Sequence, residues 1–168
     1  MTIDEIFSEL STHMLKGIML HDEMAQCYSF IGVKSKAKSH YKAVRHEIKN
    51  LQKLQDLYSD YYGKLINQGL VQKSQEIIPT AWFNHSKKDL SEANRQTLIK
   101  SINDSWLRWE ELTKKEYQNK YLKLMEMGEI SVADFLIPLI KKTEKEIMDA
   151  REEQLFLKSI NYSKEVEL

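Results

Sequence analysis

The sequence predicts an all-α protein, a single four-helix bundle with a long connection between its second and third helices. Apolar residues recur every three to four positions over four long stretches, which places them on one face of each predicted helix. The 168 residues include only five glycines and two prolines, fewer turn-forming residues than a sheet protein of this size needs. The composition, 42% hydrophobic and 30% charged, is typical of amphipathic helices.

The first two helices are predicted to form an antiparallel hairpin. Helix 1 is expected from Thr2 to Ile31, because Thr2 and Glu5 have the spacing of a capping box and Gly32 can end a helix. Helix 2 is expected from Ser35 to Ile66, and the short link at Gly32 makes the chain turn back on itself. The predicted inner face of helix 2 comprises Ala37, Tyr41, Val44, Ile48, Leu51, Leu54, Tyr58, Tyr61 and Leu65.

Residues 67–88 are predicted to be an ordered, non-helical connection that crosses the bundle. Gly69 and Pro79 interrupt the helical pattern. A connection of about 22 residues can span roughly 70 Å, whereas a 30-residue helix is roughly 45 Å long. Helix 3 is therefore expected to start at the far end of the bundle and to run parallel to helix 2. The apolar side chains expected to hold the connection against the bundle are Ile77, Ile78, Trp82 and Phe83.

The last two helices are predicted to form a second hairpin. Helix 3 is expected from near Asp89 to Gly128, and helix 4 from near Ser131. Pro138 lies inside helix 4, so either a kink or a late start is expected there. The predicted inner face of helix 3 comprises Leu98, Ile102, Trp106, Trp109, Thr113, Glu116, Tyr117, Leu124 and Met127.

Length and composition set limits on organisation and location. Residues 1–160 are expected to form one domain, with residues 161–168 as a flexible tail. Lys plus Arg and Asp plus Glu are balanced at 25 each, so no overall charge attracts nucleic acid or membranes. Cys27 is the single cysteine, which excludes an intrachain disulfide and favours a reducing compartment. Since the sequence shows neither a signal peptide nor a membrane-length apolar run, we expect a cytoplasmic protein.

No catalytic motif is present in the sequence. Neither Gly-x-Ser-x-Gly nor Ser-x-x-Lys occurs, and the glycines are too sparse for a phosphate-binding loop. His21 lies on the apolar face of helix 1, and two interpretations are open. It is either a metal ligand or proton carrier, or a core histidine bonded to a tyrosine or glutamate across the bundle. Trp106 and Trp109 are interpreted as core packing or as the lining of a pocket.

One local pattern adds a family resemblance to the predicted topology. Glu23-Met24-Ala25 with Tyr28 on helix 1 resembles the E-x-x-A-x-x-x-Y first helix of rubrerythrin-like proteins, with the tyrosine two residues early. The chain thus resembles the ferritin-like superfamily, and in particular small ferritin-like proteins of Gram-positive bacteria and their phages. Members often bind two iron or manganese ions through a Glu from each of two helices and a Glu-x-x-His from each of the others.

The resemblance implies a set of candidate metal ligands, but the sequence contains no Glu-x-x-His. Its nearest equivalents are Glu47-Ile-Lys-Asn50 on helix 2 and Glu146-Ile-Met-Asp149 on helix 4. Glu23 lies about 200° around helix 1 from His21, so the two cannot face the same core. The candidate metal ligands are Glu23, Glu47, Glu116, Glu146 and His21.

Two further features suggest binding. Helix 1 has a second, semi-apolar face that either the crossing connection or a second subunit must cover, so a homodimer is one expectation. The basic start of helix 2 is interpreted either as a site for phosphate groups or as a solvated face paired with acids of helix 4. The second face of helix 1 comprises Leu15, Met19, Glu23, Cys27 and Phe30. The candidate anion-binding or partner-binding residues are Lys34, Lys36, Lys38, Lys42 and Arg45.

The leading hypothesis is a small, non-enzymatic, ferritin-like bundle that binds a protein partner or a second copy of itself. It predicts no intact metal centre, no cofactor and no membrane association. One alternative is a divergent di-iron or di-manganese oxidase or peroxidase. Another alternative is a bundle that binds nucleic acid through the Lys34–Lys49 face.

Overall fold

Four long helices form an all-α bundle in the computed structural model, which describes residues 1–73, 75, 77 and 86–159. A short 3-10 turn, Lys87–Asp89, precedes the third helix. The predicted fold class is confirmed, and no strand occurs within the described ranges. The helices are α1 (Ile3–Phe30), α2 (Lys34–Tyr62), α3 (Glu92–Glu126) and α4 (Ile130–Ser159).

The first hairpin follows the predicted signals at three of its four helix ends. Thr2 caps α1 by accepting a hydrogen bond from the Glu5 amide at 3.1 Å. Gly32, with φ of 88°, makes the turn into α2. At its far end α2 stops at Tyr62 rather than at the predicted Ile66, because Gly63 adopts a left-handed conformation and terminates it.

The connection after α2 runs along α1 from its N-terminal end towards its C-terminal end. Its path is marked by Lys64 with Asp4 at 3.2 Å, Gln68 with Ser11 at 2.7 Å and Lys73 with Glu23 at 3.4 Å. Farther along, Ile77 is buried in the core. The connection is therefore packed against the bundle, as predicted, although Ile78, Trp82 and Phe83 lie outside the described residues.

The second face of α1 is covered, at least in part, by this connection. Glu23 of this face pairs with Lys73 of the connection, and Cys27 of the same face belongs to the apolar cluster that contains Ile77. Of the two expected covers, the crossing connection is the one that the structure supplies. The homodimer stays a prediction.

The second hairpin is placed so that α2 and α3 run parallel. At one end of the bundle, Arg95 near the start of α3 donates from Nε to the Ile31 carbonyl at 2.9 Å. At the other end, the Tyr62 hydroxyl donates to Glu129, which directly precedes α4, at 2.9 Å. Both α2 and α3 therefore begin at the Ile31 end, and the predicted crossover is confirmed.

In the second hairpin the predicted start of helix 3 is wrong, whereas helix 4 begins within one residue of its predicted start near Ser131. Asp89 lies in the 3-10 turn, and α3 begins at Glu92 because Ser91 accepts a hydrogen bond from the Asn94 amide at 3.1 Å. α4 begins at Ile130 and continues through Pro138, so the late start is wrong. Val132, Ala133 and Leu136 are buried and hold the turns that precede the proline against the core. The kink stays a prediction.

The interior consists of two large apolar clusters with polar side chains between them, and a small third cluster of Leu107, Ile147 and Ala150. At the Ile31 end the cluster is built from Leu20, Met24, Cys27, Tyr28, Ile31, Val33, Ala37, Ile77, Leu98, Ile99, Ile102, Trp109 and Leu157. At the Tyr62 end it is built from Ile6, Phe7, Leu10, Met14, Leu51, Leu54, Tyr58, Tyr117, Leu124, Val132, Ala133 and Leu136. None of the described helices combines the length and the apolar character needed to cross a membrane.

The inner face of α2 differs from the prediction in its first half and at its C-terminal end, where Tyr61 is 58% exposed. Tyr41 and Ile48 are each 39% exposed, and Leu65 lies beyond the helix and is 93% exposed. His40 is buried in their place, and Glu47 is half-buried. The prediction was wrong here because it followed apolar residues, whereas α2 turns polar side chains inward in this region.

Candidate functional site

Each of the four helices contributes one ionisable side chain to a cluster in the middle of the bundle. We call His21 of α1, Glu47 of α2, Glu110 of α3 and Glu146 of α4 the His21 cluster. All four line one small cavity of about 30 Å³, which the exposed Lys142 also lines. His21 and Glu110 are only 3% and 6% exposed, so water has little access to them.

His21 is held through both nitrogens of its ring. Its Nδ1 lies 3.0 Å from Nδ1 of His40, and its Nε2 lies 3.3 Å from Oε1 of Glu110. The imidazole rings of His21 and His40 also stack, with centroids 5.3 Å apart. The interpretation of His21 as a core histidine bonded to a glutamate across the bundle therefore describes its contacts.

The two histidines have opposite protonation tendencies. Burial favours a neutral His21, but the hydrogen bond to Glu110 and the charges of Glu47 and Glu146 outweigh it, so the pKa of His21 is raised. Burial, followed by the positive charge of His21, lowers the pKa of His40 to about 3. A protonated His21 therefore donates from Nδ1 to a neutral His40 and from Nε2 to the Glu110 carboxylate.

Two of the clustered carboxyl groups favour their neutral form. Burial, with a contribution from Glu110, raises the pKa of Glu47 to about 7 against the opposing effect of His21. Burial and Glu110 also raise the pKa of Glu146. Glu47 therefore changes its charge near neutral pH, next to a protonated histidine.

A cleft between α2 and α4 connects the surface to this cluster. Its volume is about 450 Å³. His21, Tyr28 and His40, all buried, form its deep part, and Trp106 of α3 lines it as well. The residues nearer the surface are Lys36, Ser39, Lys42, Ala43, His46, Lys142, Lys145, Glu146 and Asp149.

Positive charge predominates around the outer part of the cleft. Lys36 pairs with Glu153 at 2.7 Å, and Lys145 pairs loosely with Asp149 at 3.8 Å. Lys142, in contrast, places its Nζ 2.8 Å from Nδ1 of His46. The charge of Lys142, followed by burial and other cations of α2, lowers the pKa of His46. Lys142 therefore faces a neutral imidazole instead of a carboxylate.

The structure brings together three of the five candidate metal ligands: His21, Glu47 and Glu146. Glu23 is on the opposite side of α1, where Lys73 of the crossing connection lies 3.4 Å away. Glu116 pairs with Lys120 on its own helix at 2.7 Å. On α3 it is Glu110, and not Glu116, that reaches the cluster.

The side chains present do not fit an iron or manganese pair. Among the described residues, no three His, Cys, Asp or Glu side chains are placed to hold a metal ion. Both ring nitrogens of His21 are engaged by protein groups. Asn50 lines the cavity three residues after Glu47, where a Glu-x-x-His sequence would place histidine, and an amide is a poor substitute for imidazole.

The candidate basic residues of α2 separate into two groups. Lys36 and Lys42 line the cleft. Lys34 donates to the hydroxyl and carbonyl oxygens of Ser29, which closes the turn between α1 and α2. Lys38 and Arg45 are exposed and do not line the cleft. The contact of Lys36 with Glu153 is one of the pairs expected between α2 and the acids of α4.

Sequence reasoning missed His40 and Glu110, although each had a detectable signal. Glu110 lies four residues after Trp106 and three before Thr113, on the face that the apolar pattern had already assigned to the interior. His40 lies three residues after Ala37, also on a predicted inner face. On helix 3 the prediction placed Glu116 on the inner face in place of Glu110, and on helix 2 it followed the neighbouring Tyr41 in place of His40.

The two tryptophans of α3 have different surroundings. Trp109 is 3% exposed, stacks on His13 with ring centroids 4.4 Å apart and approaches Gly17 of α1. Trp106 lines the cleft, and its Nε1–H is buried without a hydrogen-bond partner among the described residues. The core interpretation therefore describes Trp109, and the pocket interpretation describes Trp106.

No protein-family model matches the chain, and no curated protein is significantly similar to it. The chemistry of the His21 cluster and of the cleft above it is therefore the basis for assigning a function.

Proposed function

We propose that this bundle acts by binding, and that it holds a small polar molecule in the cleft between α2 and α4. The observation that carries the proposal is that this cleft runs from exposed lysines down to the buried His21 and His40. Its volume of about 450 Å³ suits a small metabolite, since small-molecule sites commonly measure roughly 300 to 1,000 Å³.

The buried polar cluster beneath the cleft supports a functional role. Apolar side chains of similar size often stabilise a core as well as, or better than, buried ionic groups do. Perturbed pKa values, like those of His21 and Glu47, are concentrated at functional sites. We infer that the cluster fixes His40 and the deep end of the cleft in one arrangement.

Binding is favoured over catalysis because, among the described residues, no activated nucleophile lines the cleft. The sole thiol, Cys27, is buried, and burial followed by the charge of Glu23 raises its pKa to about 11. At neutral pH it is a thiol and a weak nucleophile.

We also propose that the chain is a divergent ferritin-like protein of the cytoplasm. Support comes from the parallel α2 and α3 joined by a crossover, and from the ionisable side chain that each helix contributes at mid-bundle. Both features belong to the plan of that superfamily.

Blocking the cleft tests the proposed function. Ala43 lines both the cleft and the small cavity beneath it, so Ala43→Trp fills the space between them. The matched control is Ala93→Trp, at an exposed position in the first turn of α3.

A library of small metabolites is screened against the full chain by backbone amide NMR. We expect hits whose shifts map to α2 and α4, lost in Ala43→Trp and kept in Ala93→Trp. Hits that survive Ala43→Trp unchanged, or a library without hits, would contradict the proposal.

A further inference from the structure

The charge and the hydrogen-bonding groups of the cleft identify a class of ligand. We propose that the cleft binds an oxyanion, meaning a small molecule that carries a phosphate or carboxylate group. This inference rests on the binding function proposed for the same cleft.

The cleft carries more positive than negative charge. Four lysines line the cleft against two carboxyl groups. Lys42 and Lys142 have no carboxylate within ion-pair distance among the described residues. The contact of Lys142 with the neutral His46 at 2.8 Å supplies a hydrogen bond but no counter-charge. An anion between these side chains would supply the missing negative charge.

A residue of the cleft also has a hydrogen-bond donor without a partner among the described residues. Trp106 lines the cleft, and its Nε1–H is buried without a partner in the described part of the protein. An indole N–H donates only, so its partner must be an acceptor. Leaving such a group unpaired costs free energy, and a phosphate or carboxylate oxygen would satisfy it.

The carboxyl groups of the cleft do not favour a cationic ligand instead. Burial raises the pKa of Glu146, which favours its neutral form, and Asp149 has Lys145 at 3.8 Å. The protonated His21 at the deep end repels cations as well. A neutral ligand would leave Lys42 and Lys142 without an ion-pair partner among the described residues.

The test is an NMR titration of the full chain at constant ionic strength. The probes are inorganic phosphate, succinate and tetramethylammonium. The readouts are the backbone amides of α2 and α4 and the indole Nε1–H signal of Trp106, which is assigned by its loss in Trp106→Phe.

We expect phosphate or succinate to shift these amides in a saturable manner and to move the indole proton downfield. Which of the two binds more tightly distinguishes phosphate from carboxylate ligands. Tetramethylammonium is expected to leave all signals in place.

Charge-removing variants decide whether the bound oxyanion occupies this cleft. In the double variant Lys42→Gln/Lys142→Gln we expect the affinity for the better probe to fall about tenfold or more, because two charge-assisted contacts are lost. The matched control, Lys38→Gln/Lys141→Gln, removes one exposed lysine from each of the same helices outside the cleft. An equal loss in both double variants would overturn the inference.

The failure of the inference can be told apart from failure of the proposed function. If neither phosphate nor succinate shifts the cleft, while a neutral or cationic library hit is excluded by Ala43→Trp, the cleft is a binding site and the oxyanion assignment is wrong. If an oxyanion binds equally well to Ala43→Trp, it binds elsewhere, and both proposals are wrong for that ligand.

Discussion

His21 is bonded at both ring nitrogens to groups from other helices, so its removal affects more than one side chain. Without His21, Glu110 is left buried at 6% exposure with no cationic partner. Removing one member of a buried ion pair commonly costs about 3 to 5 kcal/mol, whereas replacing both members with apolar groups is much less harmful.

The pair can be tested by a double-mutant cycle. We expect His21→Leu and Glu110→Leu each to lower the free energy of unfolding by about 3 kcal/mol, because each leaves its partner unpaired. The double variant should lose less than the sum of the two single variants. Urea unfolding of the four proteins at one pH provides the measurement. Additive losses would show that the two side chains do not interact.

Glu47 predicts a pH dependence of stability. Its pKa is about 7 in the folded protein and near the ordinary value of 4.5 in the unfolded chain. Between these values the folded state binds more protons than the unfolded state does. The stabilising contribution of Glu47 is therefore complete below about pH 4.5 and is lost as the pH rises through about 7.

The variant Glu47→Gln should remove this dependence, because its side chain stays neutral at every pH. Relative to the native protein, we expect it to gain about 2 kcal/mol between pH 5 and pH 8, after allowance for the half-buried position. Urea unfolding at unit pH steps measures the difference, with the exposed Glu152→Gln on α4 as the control. A constant difference across this range would contradict the assigned pKa.

At the scale of the elements, the ends of the helices were predicted more accurately than the side chains that each helix buries. Cap residues such as Thr2, and glycines such as Gly128 with φ of 76°, act over one helical turn, so short sequence patterns identify them. The burial of His40 and Glu110 depends on partners from other helices. Its cause is tertiary, and a single-helix apolar pattern does not contain it.

The crossing connection is the element whose packing is most open to test. Ile77 is 4% exposed and belongs to the apolar cluster at the Ile31 end, while Leu65 of the same connection is 93% exposed. We expect Ile77→Ala to cost about 2 to 4 kcal/mol of unfolding free energy, because it removes buried methyl groups and leaves a cavity. Leu65→Ala should change stability by less than about 0.5 kcal/mol. Equal effects in urea unfolding would mean that the connection is not packed on the core.

At the scale of the whole molecule, the length of one connection predicted the topology. Sequence motifs, in contrast, did not predict which side chains form the site. A link of about 22 residues allowed a crossing of the bundle, and contacts such as Lys64 with Asp4 and Lys73 with Glu23 trace that path. The site was harder because the His21 cluster draws one side chain from each of four helices. Their convergence follows from the rotation of each helix about its axis, which sequence spacing alone leaves undetermined.

The parallel course of α2 and α3 makes a prediction about distances across the whole molecule. Both helices begin at the Ile31 end, so spin labels at Lys38 and Ala93, each exposed near the start of its helix, should lie close together. A label at Glu126, the last residue of the 35-residue α3, should lie roughly 50 Å from one at Lys38, since a helix rises 1.5 Å per residue. Double electron–electron resonance on the two labelled pairs, in a Cys27→Ala background, measures both distances. A simple up-down-up-down bundle makes α2 and α3 antiparallel and reverses the order of the two distances, so a longer separation for Lys38 with Ala93 would rule out the crossover.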